Sequence, residues 1–196
     1  MQPLLTMDDY APVSDAIGNV LLPNARLPGR VFNEQFKFFL FITFDELLMP
    51  LFFNNLKLYL SGAEDKDYWV APIHPDPKSY FHVNFGSLCA FQMSSSDSEK
   101  DYFSILHAYP AGSPADALAH NANLLLLLSR TSRWVIYGDR DVDLAVCAFR
   151  DSADMRVFKN AYGADLLNGV EGAGEYAYGS MGLHNLKMEF CNNYRR

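Results

Sequence analysis

Residues 133–149, RWVIYGDRDVDLAVCAF, set a polar turn, Gly138-Asp139-Arg140-Asp141, between two strongly apolar arms. The arms are too close in sequence for a crossover connection, so residues 134–137 and 142–149 read as strands of an antiparallel hairpin. A chain holding such a hairpin must build the rest of a sheet around it, because two strands alone do not bury enough apolar surface.

Further strands are expected at residues 37–44, KFFLFITF, which is aromatic and β-branched, and at 68–73, YWVAPI. Residues 80–93 read as a long strand with Gly86 at a bend, and residues 102–110, YFSILHAYP, as another. Helices are expected over 43–62, 113–130 and 152–163. In the first, Thr43 and Glu46 fit a capping box, and Pro50 marks a kink or the true start. In the second, Ser113 and Pro114 suit the first turn and five leucines follow at 124–128. In the third, Ser152 is the expected cap.

Residues 163–182 hold six of the 12 glycines and read as a mobile or tightly turned loop. Residues 183–196 fit either a helix or an edge strand. Residues 1–30, rich in Pro, Asn and Gly, read as an irregular arm with a short helix near 13–20. Adjacent strands joined by short polar loops, without regular helix alternation, predict a single α+β domain over 1–196. Its sheet is mainly antiparallel, with helices packed largely on one face. At this length a chain buries roughly 70% of its surface and needs no disulfide or metal for its core.

The most apolar stretch, residues 36–53, carries Asp45 and Glu46 in its middle and Pro50 beyond, which argues against a membrane span. The N-terminus lacks the pattern of a secretory signal. Cys89, Cys147 and Cys191 are odd in number and far apart, the usage of a reducing compartment, so a cytoplasmic location is expected. The net charge of −7 disfavours nucleic acid and anionic membranes and suits a basic protein partner.

No motif for a nucleotide, metal or nucleophile stands out, so no cofactor is expected. GAGEYA at 172–177 resembles part of a dinucleotide fingerprint but lacks the preceding strand. In HPDP, at 74–77, Asp76 is expected to bond its own backbone. If residues 80–85 form a strand, Tyr80, His82 and Asn84 share one face, a possible ligand or partner surface. His107 is expected as a buried imidazole, and His120, Asn121 and Asn123 sit in the leucine-rich helix. The turn offers Asp139, Arg140 and Asp141 to a partner, with Tyr137 and Trp134 near its base. Tyr, Trp and Arg are types enriched at binding hot spots.

Three functions fit these observations. The first is a noncatalytic acidic protein that binds a basic protein, an inhibitor or immunity-type protein for example. The second is a small-ligand binder or hydrolase-like enzyme with a pocket between sheet and helix. The third is a structural subunit that self-associates, for example as a homodimer. The first is the leading expectation.

Overall fold

A computed structural model, which describes residues 1–195, places the hairpin near one side of a seven-stranded sheet. In chain order the elements are β1 (Gln2–Pro3), α1 (Met7–Val20), β2 (Phe38–Ile42), α2 (Pro50–Gly62), β3 (Asp67–His74), α3 (Val83–Phe85) and β4 (Phe91–Ser94). Then come α4 (Glu99–Leu106), α5 (Leu118–Asn121), β5 (Leu124–Ser129), β6 (Trp134–Asp139), β7 (Leu144–Phe149), α6 (Ser152–Tyr162), α7 (Gly169–Gly174) and α8 (His184–Tyr194). The sheet order is β1-β4-β3-β5-β6-β7-β2, with every neighbouring pair antiparallel. The result is a single α+β domain.

Strand residues alternate between two apolar clusters, one on each face of the sheet. Leu125 and Leu127, Trp134 and Ile136, and Cys147 and Phe149 face the cluster built with α2, α4, α5 and α6. Leu124 and Leu126, Val135 and Tyr137, and Val146 and Ala148 face the cluster built with α1, α7 and α8. Most helices therefore share one face, and a smaller set covers the other. Central strands buried on both sides read as unbroken apolar runs.

That burial corrects the expected helix over 113–130. Its leucine run is β5, paired to β3 and β6, and only Leu118–Asn121 is α-helical. Leucine favours helix by a few tenths of a kcal/mol, which two strand neighbours and two apolar faces outweigh.

The expected strand over 102–110 and the first half of the one over 80–93 are helical, while the second half of the latter supplies β4. At 77–85 Asp76 caps the first turn, its carboxylate accepting from Lys78 N and Ser79 N. Pro77 opens the helix and Gly86, at φ 66°, closes it in the left-handed region. At 99–106 Ser98 and Asp101 form a reciprocal capping box. The N-terminal arm is also more ordered than expected: Thr6 and Asp9 form the same box and start α1 at Met7, while β1 pairs with β4.

The glycine-rich stretch folds into α7 and a further helical turn over Glu175–Gly179. Gly174 serves close packing: a Cβ there would lie 3.0 Å from Cys191 Sγ on α8. Residues 183–196, read either way from sequence, supply helix α8. Pro50 is the first residue of α2, so it starts that helix rather than kinking it, and Asp151 rather than Ser152 caps α6. Among the described residues no helix is long and apolar enough to cross a membrane.

Candidate functional site at the turn end of the sheet

The turn between β6 and β7 is fixed by its neighbours. Gly138 packs on Phe44 and Leu47, where a Cβ would lie 2.6 Å from Leu47 Cδ1. The Asp139 carboxylate accepts from Asp141 N at 3.1 Å, closing the turn, and Asp143 adopts a left-handed φ of 45°. The same end of the sheet gathers the ends of β3 and β2 and the start of β5.

The structure turns most of the expected binding set inward. Asp139 is buried, and its pKa is raised by that burial, with Arg26 opposing the shift. Arg26 Nη2 lies 3.4 Å from Asp139 Oδ1 and 3.0 Å from Asp141 Oδ2. Arg140 is neither a surface ion pair nor displayed to a partner. Its Nε donates to Ala122 O at 3.0 Å and its Nη2 to Ala119 O at 2.9 Å. Its guanidinium also sits 4.6 Å from the centre of the Phe44 ring. Burial lowers its pKa. Tyr137 and Trp134 are core residues, Trp134 packing edge-on against Tyr59. Of the three charged turn residues, only Asp141 is exposed, with 58% of its side chain accessible.

Tyr80, His82 and Asn84 do not form a row on a sheet face, because their segment is helical. The Tyr80 hydroxyl donates to Asp116 Oδ1 at 2.8 Å, an oxygen that also accepts from Asn121 Nδ2. Asn84 Nδ2 donates to Tyr80 O at 2.8 Å. The Tyr80 bond latches the 77–85 helix to the segment before β5, and the Asn84 bond stays within the helix, both structural uses. His82 is half-buried, and its Nδ1 has no hydrogen-bond partner among the described residues. His107 is not a buried imidazole: it is exposed at the end of α4, 6.0 Å from the His120 ring.

Two concavities flank the turn. One, of about 510 Å³, lies between the turn and the 175–181 segment and is lined by Asp141, Asp143, Glu175, Tyr176 and Met181, with Arg140 beneath. The Tyr176 hydroxyl donates to the Asp143 carboxylate, which pushes the tyrosine pKa up to about 12. Asp143 also accepts from Asp45 N at 3.0 Å. Tyr176 is 41% exposed and Met181 57%. Glu175 pairs with Lys187, while no ion pair to Asp143 occurs among the described residues. The other concavity, of about 560 Å³, lies between α1 and the sheet.

No family model, curated protein or solved structure matches this chain.

Among the described residues no three His, Cys, Asp or Glu side chains are grouped to hold a metal ion. The three cysteines are free and buried. Burial pushes the Cys89 thiol up to about 11 and raises Cys147 and Cys191 as well, the opposite of an activated thiolate. Tyr176, Met181, Asp143, Glu175 and Arg26 went unnoticed in the sequence. Four lie outside the turn, and their convergence on it follows only from tertiary packing. Asp143 is two residues beyond the expected turn, and the D-x-D-x-D spacing of 139, 141 and 143 is the signal that links it to the turn.

Proposed function

We propose that this chain is a noncatalytic acidic protein that binds a basic protein partner through the turn end of its sheet, in the manner of an inhibitor or immunity-type protein. One observation supports this most: the concavity where Asp141, Asp143 and Glu175 ring two exposed apolar side chains, Tyr176 and Met181. Tyr and Met are enriched in interface cores, and the carboxylates around them suit a lysine- or arginine-rich surface. Arg140 keeps its charge while its donors bond backbone carbonyls, Asp141 pairs with Arg26 and Glu175 with Lys187, so Asp143 is the rim carboxylate without an ion pair among the described residues. The overall charge of −7 adds long-range attraction to the same partner.

The test isolates the partner from the native source at low salt and compares binding of the wild type with the variant Asp141→Asn, Asp143→Asn, Glu175→Gln. These changes remove charge while keeping one acceptor oxygen on each side chain. The expected result is a basic partner held at least about tenfold less tightly by the variant, mostly through slower association, with affinity falling as salt shortens the Debye length. Equal binding by both forms, or a salt-insensitive complex, would contradict the proposal.

A further inference from the structure

His107 and His120 belong to different elements, yet their rings lie 6.0 Å apart, centre to centre, with planes crossing at 61°. His107 caps the C-terminus of α4, its N–H donating to Phe103 O at 3.0 Å, and His120 sits near the end of α5. The loop between them folds back because Asp116 ties it down: its carboxylate accepts from the Ser113 hydroxyl, Asn121 Nδ2 and the Tyr80 hydroxyl. Next to His120, Ala119 O accepts from Arg140 Nη2 at 2.9 Å. Ile105, Leu106 and Leu118 are fully buried beside the pair. The backbone that carries both rings is thus held by the core, while the rings themselves are exposed.

The Phe103 ring flanks His107 nearly parallel to it, 6.4 Å away. Beyond these ring contacts, neither imidazole has a hydrogen bond or an ion pair among the described residues. Each neutral ring therefore keeps a nitrogen lone pair open to the outside. A metal ion about 2.0–2.1 Å from one nitrogen of each ring sets the ring centres roughly 4.5–6.4 Å apart, depending on the angle at the metal. The observed 6.0 Å lies within that interval. A tetrahedral angle is reached by closing the pair by less than about 1 Å, which exposed side chains achieve by rotation. Imidazole nitrogen suits zinc, nickel and copper, whereas magnesium and calcium take oxygen. Among the described residues no carboxylate or thiolate joins the pair as a third ligand, so the other positions fall to water.

We propose that His107 and His120 together bind one divalent late transition-metal ion of the zinc class, which clips the end of α4 to α5. The site is separate from the acidic rim and stands whether or not the partner reading survives. Calorimetric titration of the full chain, free of any added histidine tag, with zinc chloride and then with magnesium chloride tests it. One zinc ion per chain is expected to bind, and magnesium is not. His107→Ala and His120→Ala are each expected to weaken zinc binding at least about tenfold, because either change leaves a single ligand. Both residues are exposed, so both variants keep the fold. His184→Ala, which removes an exposed histidine on α8, is expected to bind zinc as the wild type does. In nuclear magnetic resonance spectra, zinc is expected to shift the ring nitrogens of His107 and His120 together, at the same point of the titration. The proposal is overturned if zinc does not bind, if magnesium binds as tightly, if either alanine variant at the pair retains wild-type affinity, if His184→Ala weakens binding as much, or if only one of the two rings responds.

Discussion

A methyl group at Gly138 would meet Leu47 Cδ1 at 2.6 Å and Phe44 Cδ2 at 2.9 Å, and both partners are fully buried. Gly138→Ala should therefore cost about 1–3 kcal/mol through overpacking, read as a lower urea midpoint with an unchanged slope. An unchanged midpoint would show that the contact with the 44–47 segment is loose. Asp139 makes a prediction with a sign. Its folded-state pKa is raised, chiefly by burial, so the folded protein holds this proton more tightly than the unfolded chain. Its contribution to stability is thus present below the ordinary carboxylate value and is lost as pH rises through the raised folded value. Asp139→Asn keeps the acceptor for Asp141 N but carries no charge. Relative to the wild type, it should gain stability between pH 3 and pH 7 in urea denaturation. A relative loss over that interval would mean that the Arg26 pairing outweighs desolvation.

At the scale of elements, Arg140 joins the turn to the segment before β5 through the carbonyls of Ala119 and Ala122. Arg140→Met keeps the stem over Phe44 and removes the donors. It should cost about 2 kcal/mol, the range for hydrogen bonds to charged groups, and should speed amide exchange in residues 118–123 while sparing α6. Uniform acceleration over the whole chain would refute a local clamp. The hairpin, β2, β3, α2 and α6 were legible in the sequence because each has its own pattern and punctuation. The elements misread had legible ends and misleading middles. Ser98 with Asp101, and Asp76-Pro77 with Gly86, are helix signals whose neighbouring aromatic residues suggested strand, while Thr6 with Asp9 lay in a stretch read as an irregular arm. For β5 the failure ran the other way: five leucines in a row carry no period, and only pairing with β3 and β6 makes them a strand.

For the whole molecule, the sheet carries apolar clusters on both faces, and its turn end is one place where charged and exposed apolar side chains meet. The sequence made the turn conspicuous but could not show which way its side chains point. Asp139 and Arg140 fold inward to hold the end of the sheet together, and the exposed acidic rim is completed by Asp143, Glu175 and Tyr176. Two of these come from a stretch whose glycines suggested a loop. Zero-length carbodiimide cross-linking of the complex captured from the native source tests the central claim most directly, since it joins only carboxylates and amines in contact. The expected result is cross-links from Asp141, Asp143 or Glu175 to lysines of a basic partner. Cross-links confined to carboxylates of α2, α4 or α6, with none at the turn end, would contradict it.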